Sequence, residues 1–194
     1  MSKVFSRALL PLMVAASSSV MAGQFYAGVG IAGFIGSGEE EYTSGRYSVT
    51  YDYEYSQQSI GLGYQFDNDN RLEVSLATID VEYDNDFYDD ESYSGLDVDY
   101  SFVWRYEAVR PYLLIGFGLY TYDDSGEYYA DGEDLSGVAF NFGAGVIWQF
   151  HEHLDVDLGY GFKSIGWQDA EDGHHIYETQ STQSGFDLAA HILF

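Results

Sequence analysis

The end of the chain alternates without exception. Phe186, Leu188, Ala190, Ile192 and Phe194 share one parity, while Asp187 and His191 occupy the other. Leu154, Val156, Leu158, Tyr160 and Phe162 repeat the pattern, with Asp155, Asp157 and Lys163 between them. A period of two puts successive side chains on opposite faces of a strand. Large aliphatic and aromatic residues on one face, with charges only on the other, predict strands that separate hydrocarbon from a polar interior. In lipid, strands satisfy their backbone groups only by closing on themselves.

The beginning of the chain reads as an export signal. Lys3 and Arg7 make a short basic region, Ala8–Ala16 is apolar, and Val20-Met21-Ala22 supplies the small residues at a cleavage site. Residues 1–22 are therefore assigned to a signal peptide and set aside, leaving 23–194 as one outer-membrane barrel domain. No Cys follows the apolar stretch to carry a lipid anchor, and the chain contains no Cys at all. Closure by strand pairing needs no disulfide.

Length sets the strand number. A spanning strand uses ~9–11 residues, so the residues after the signal accommodate eight strands, short turns on one side and longer loops on the other. The pattern predicts strands over Gln24–Ile35, Tyr47–Phe66, Arg71–Tyr83, Tyr93–Tyr106, Arg110–Tyr122, Ser136–Phe150, Leu154–Gly166 and Ser181–Phe194. Asp67–Asn70, Glu107–Val109 and His151–His153 are the short turns. Ser37–Arg46, Asp84–Ser92, Asp123–Leu135 and Trp167–Gln180 are the loops. Tyr51, Tyr53 and Tyr55 sit on the parity opposite to Ile60, Leu62, Tyr64 and Phe66, which predicts a bulge near Gln57 or a stretch standing clear of the bilayer. The fold class is all-β: an eight-stranded antiparallel up-and-down transmembrane β-barrel.

An eight-stranded barrel is just wide enough for side chains to fill its interior. The inward parity carries Arg71, Arg105, Arg110 and Lys163 with Glu73, Asp97, Asp99, Asp155, Asp157 and Asp187. These predict a buried network of ion pairs and hydrogen bonds rather than an open channel, the competing reading being a gated ion path. Inward glycines, such as Gly61, Gly63, Gly116 and Gly118, leave room for the long side chains.

Ser59-Ile60-Gly61-Leu62-Gly63-Tyr64-Gln65-Phe66 with its Asp-Asn turn, Arg110-Pro111-Tyr112, Leu154-Asp155-Val156-Asp157-Leu158-Gly159-Tyr160 and the terminal Phe194 resemble the small outer-membrane barrel superfamily. That group includes the OmpX/Ail and opacity proteins and the transmembrane domain of OmpA. The resemblance spans the part after the signal. It implies a Gram-negative outer-membrane location, and recognition of Phe194 by the barrel-assembly machinery. Members serve as adhesins, serum-resistance factors and envelope stabilisers, so the implied function is surface interaction or envelope structure.

Charge narrows the partners. After the signal, five Lys or Arg stand against 32 Asp or Glu, a net charge near −27. Much of the excess lies in Glu39-Glu40-Glu41, Asp84 to Glu91, Asp123 to Asp134 and Asp169 to Asp172. Nucleic acid is excluded, because phosphate contact needs the opposite sign. A solvated, self-repelling surface is the plain reading. A sharper one is weak Ca²⁺ or Mg²⁺ binding that bridges these acids to lipopolysaccharide phosphates, with affinities of ~10⁻⁴–10⁻³ M. A basic extracellular ligand is the third. No resident cofactor and no dedicated metal site is predicted.

Apparent catalytic motifs fail on context. Gly28-Val29-Gly30-Ile31-Ala32-Gly33 has dinucleotide-fingerprint spacing but lies in a strand with no following helix. His151 and His153 fall at a turn, His174 and His175 in an acidic loop, and His191 on the inward face. Lipid A deacylases of this size place a His and a Ser two residues apart, a spacing no His here has, and no His precedes His151. The chain is read as a non-enzyme, with a small ion-conducting pore, or less favoured a lipid A-modifying enzyme, as the alternatives.

Overall fold

Alternation produces a single closed sheet. The computed structural model describes residues 23–33, 37–44, 47–83, 90–106, 108–122, 134–172 and 175–194; the assigned signal peptide lies outside them. The strands are β1 (Gly23–Ala32), β2 (Ser37–Ser44), β3 (Tyr47–Phe66), β4 (Arg71–Tyr83), β5 (Glu91–Val103), β6 (Val109–Tyr122), β7 (Leu135–His151), β8 (Leu154–Trp167), β9 (Ala170–Asp172) and β10 (His175–Leu193). β1 and β2 pair with the two halves of the same neighbours, β3 and β10, and so form one barrel stave. β9 is a short hairpin partner for the start of β10. Eight antiparallel staves therefore close the ring, because β10 also pairs with β8.

Strand tilt follows from the register. The paired row Gly28, Gly61, Ser75, Asp97, Gly118, Ala139, Ile165, Ser181 returns to the first stave at Glu40 instead of Gly28. That offset is the shear that inclines strands in a closed barrel. The connections β3–β4, β5–β6 and β7–β8 lie at one end, the turn end; the opposite end, where β2 meets β3 and β9 meets β10, is the loop end.

Three expectations are corrected. Ser37–Arg46 is not a loop: β2 covers Ser37–Ser44, with its backbone paired on both sides, so its run of acids carries no unsatisfied backbone. No bulge occurs near Gln57, since β3 runs against β4 in unbroken register from Tyr53↔Tyr83 to Gln65↔Arg71. Register breaks instead on the first stave and, between β7 and β8, at Gln149–His151. Ala32 pairs with Gln57 and Gly38 with Tyr53, so the first stave holds extra residues between those points. Gly33 there has φ +95°, a conformation that side chains rarely adopt. Finally, the fourth loop is shorter than Trp167–Gln180, because β8 reaches Trp167 and β10 starts at His175. Residues 84–89 and 123–133 of the second and third loops lie outside the described residues.

The tyrosines explain themselves once both ends are compared. Within the apolar belt Leu72 and Leu76 of β4 face outward and are exposed, as are Ile60, Leu158, Phe140 and Ile192. Farther up β4 the polarity inverts: Asp80 and Glu82 face outward, while Ile79 and Val81 are buried in the lumen. Tyr53 and Tyr55 are buried in that same upper cluster, with Tyr93, Tyr120, Ala139 and Ile165. Strand parity is continuous; the surroundings change. A contiguous apolar outer surface of this extent requires a non-aqueous neighbour, whereas the loop-end tier has the polar outside and apolar inside of a protein in water.

Candidate functional site in the barrel lumen

Inward side chains are arranged in tiers. Arg71 opens β4, Arg110 lies near the start of β6 and Asp155 near the start of β8, all on the lumen parity at the turn end. Asp155, fully buried, receives both guanidinium groups: Arg71 Nη2 pairs with its Oδ2, and Arg110 Nη2 reaches the same oxygen at 2.8 Å. Arg71 Nη1 is 3.4 Å from Asp157 Oδ2, and its Nε donates to Gln65 Oε1 at 3.1 Å. The guanidinium also stands over the Tyr26 ring, 5.1 Å from the centroid. Val103, Tyr112 and Ile147 form a small apolar cluster, with Leu114 against it.

A second tier begins at His191. Its Nε2 lies 3.3 Å from Glu73 Oε2 and its Nδ1 3.6 Å from Asp157 Oδ2. Higher still, Lys163 Nζ is 2.9 Å from Asp97 Oδ2 and donates to Gln57 Oε1 at 3.0 Å. Tyr120 donates to Asp97 Oδ2 at 2.7 Å, and Asn141 Nδ2 donates to Asp97 Oδ1 at 2.9 Å and Asp99 Oδ1 at 3.0 Å. Asp187 accepts a long hydrogen bond from Tyr112, 3.4 Å. Between these groups is a cavity of about 180 Å³, lined among others by Ser59, Glu73, Asp99, Asn141, Asp157 and Asp187.

Glycines make this packing possible. A Cβ on Gly61 would lie 2.6 Å from the Glu73 carboxylate, and one on Gly28 would collide with the His191 ring. A side chain at either glycine would force the neighbour to move: the flexible Glu73 carboxylate at Gly61, and the bulkier His191 ring at Gly28.

Of the residues predicted to share the lumen, Arg71, Glu73, Asp97, Asp99, Arg110, Asp155, Asp157, Lys163 and Asp187 face it. Arg105 does not. β5 ends at Val103, where Trp104 N–H donates to the Pro111 carbonyl, and the Arg105 side chain is 65 % exposed with Nε 2.5 Å from Asp69 Oδ2. Continuing the alternation two residues past the end of the strand misplaced it. The sequence reading also omitted Gln65, Gln57 and Tyr120 as partners. Their parity was available, because Gln65 and Gln57 share the face of Gly61 and Gly63, and Tyr120 that of Gly118.

The network ends below an apolar layer. Ile79 and Ile165 are 0 % exposed, and with Val81, Tyr53 and Tyr93 they occupy the lumen toward the loop end. An ion crossing that layer would lose hydration without a replacement partner. Among the described residues no group of three or more His, Asp or Glu side chains is placed to hold a metal ion. The arrangement is chemically suited to fixing barrel shape.

A closed, side-chain-filled, up-and-down barrel with an apolar outer belt defines a membrane β-barrel. The chain belongs to the outer membrane protein beta-barrel domain family, whose model matches residues 7–188. Among solved structures it is similar to neisserial surface protein A, with 16% identity, a TM-score of 0.53, and 88% of this chain and 97% of that one covered. The N-terminal beta-barrel domain of OprF from Pseudomonas aeruginosa matches with 16% identity and a TM-score of 0.46 over 89% of this chain and 99% of that one. Ail, the attachment invasion locus protein of Yersinia pestis, matches with 18% identity and a TM-score of 0.41, over 85% and 98%. Comparison with curated proteins returned no match.

Proposed function

We propose that this protein is a non-enzymatic barrel of the Gram-negative outer membrane that presents an acidic extracellular tier for contact with lipopolysaccharide or an external ligand. Export by residues 1–22 and recognition of Phe194 by the assembly machinery belong to the same reading. The observation that carries it is the outward acid cluster above the apolar belt. Asp52, Glu54, Asp80 and Glu82 are all exposed, and Glu54 is registered directly opposite Glu82. Like charges facing each other across a sheet are unfavourable, so Ca²⁺ or Mg²⁺ shared with lipid phosphates relieves a repulsion that the fold otherwise sustains. Folded protein in vesicles containing lipopolysaccharide tests this. Adding Mg²⁺ after chelation raises the unfolding temperature and lipopolysaccharide retention, and the double substitution Glu54→Gln with Glu82→Gln weakens both responses. No response to Mg²⁺ in the unaltered protein would remove the cation bridge from the reading.

A small pore is the second reading, drawing on the carboxylate-lined cavity. The apolar layer at Ile79 and Ile165 argues against it. Steady unitary conductance in planar bilayers would favour it.

A further inference from the structure

From β3 to β7 the upper border of the apolar belt follows a single hydrogen-bonded row. Ile60, Leu76, Leu96, Leu119 and Val138 are paired in succession across β3 to β7, and each is apolar. One outward position higher, Gln58, Thr78, Ser94, Thr121 and Ser136 form the next such row, and each is polar. Rows in a sheared barrel are inclined to its axis. The row begun at Gly28 returns nearer the loop end, so rows climb from β3 toward β7. Strands ~4.8 Å apart and tilted ~40° give a climb of about 3 Å per stave, or about 12 Å over the four steps from β3 to β7.

The lower border behaves differently. On seven staves the lowest outward apolar residues, Phe25, Phe66, Trp104, Val109, Phe150, Leu154 and Phe194, lie on different rows, and their levels agree within about 5 Å by the same geometry; on β4 the lowest is Leu72, about 8 Å above Phe66. The belt is therefore a wedge. At about 2.5 Å of height per residue, the outward apolar run is about 15 Å tall on β3, Ile60 to Phe66, and about 30 Å on β7, Val138 to Phe150. These staves stand on opposite sides of the ring. Asp80 on β4 is level with Val138 on β7.

We infer that the outer leaflet is thinned along the β1–β3–β4 side of the barrel, where its polar headgroup zone descends to the level of Gln58 and Thr78. A bilayer meets a short hydrophobic face by local thinning, and charge at hydrocarbon depth is strongly disfavoured. Headgroups and water fit this face better than a second copy of the chain, because Glu54, Asp80 and Glu82 would then confront their own like charges. The inference rests on membrane insertion and is independent of cation bridging.

The absence of cysteine allows one spin label per molecule. Thr78→Cys and Phe140→Cys lie at nearly the same level three staves apart, and Phe66→Cys and Val109→Cys are a matched pair at the turn end. Each labelled protein is reconstituted in phosphatidylethanolamine and phosphatidylglycerol vesicles, and nitroxide collisions with a water-soluble nickel chelate and with oxygen are compared. The label at 78 is expected to be severalfold more accessible to nickel than that at 140, with the turn-end pair alike. Equal nickel access at 78 and 140 overturns the inference. So does a turn-end pair that differs, which means rigid tilt, or a label at 78 shielded from both reagents, which means a protein cover. Water access at 140 equal to that at 78 and high in both would overturn membrane insertion as well. Gel migration of the unheated barrel confirms folding, and Gln58→Cys with Phe117→Cys replaces any pair that fails, with the same outcomes.

Discussion

The two tiers of this barrel use the same strands in opposite senses. At the turn end, Leu72 and Leu76 of β4 face outward while Arg71 and Glu73 fill the lumen. At the loop end, Asp80 and Glu82 face outward while Ile79 and Val81 fill it. Register between β3 and β4 does not slip at the change. Inside and outside are therefore not fixed polarities of a strand; each is set by the solvent at that height and on that side of the ring. In hydrocarbon, the polar groups collect inside and must satisfy one another. In water, the lumen becomes an ordinary apolar core.

The largest expected effect breaks the lower tier. Asp155→Ala leaves Arg71 and Arg110 facing each other without their shared carboxylate, and loss of one partner from a buried ionic group costs about 3–5 kcal/mol. Urea unfolding of the folded protein in lipid vesicles reads this directly. Ile79→Ala tests the upper tier by a different mechanism, a cavity in an apolar core, with a cost of about 2–5 kcal/mol. If the upper lumen were water-filled, that substitution would be nearly silent.

A third pair sharpens the boundary. Leu113→Arg places a charge outward near mid-belt and should cost about 2–4 kcal/mol, whereas Thr121→Arg on the same strand, above the belt, should cost less than about 1 kcal/mol. Equal costs would show that the border between them is misplaced. The smallest effect concerns the outward acids. Glu82→Gln removes one side of the repulsion with Glu54 and should stabilise by about 0.2–1 kcal/mol in chelated buffer, a gain that shrinks when Mg²⁺ is present.

Much of this was legible in the sequence, for a definite reason. Wherever hydrocarbon touches one face, alternation is forced, and β4 runs over Arg71–Tyr83 as the pattern indicates. Where both environments are aqueous or mixed, the signal weakened. Glu39-Glu40-Glu41 looked like a loop because charge has no bearing on whether a backbone finds partners, and those partners, near Asp52 on β3 and Thr182 on β10, lie elsewhere in the chain. Tyr53 and Tyr55 pointed either to a bulge or to a stretch standing clear of the bilayer, because parity alone does not say which solvent lies outside; the unbroken register of β3 against β4 removes the bulge. Lumen membership could be read from parity alone, as for Asp97 and Lys163. Pairing could not: Asp155 meets Arg71 and Arg110 across 84 and 45 positions, through the barrel rather than along a stave.

Methyl groups on neighbouring positions of one strand test the inversion most directly. In protein with labelled Leu, Ile and Val methyls in lipid nanodiscs, cross-relaxation from acyl-chain methylenes should reach Leu76, Leu158 and Val138 and be absent at Ile79, Val81 and Ile165. Lipid contacts at Ile79 and Ile165 as strong as those at Leu76 would contradict the two-tier account.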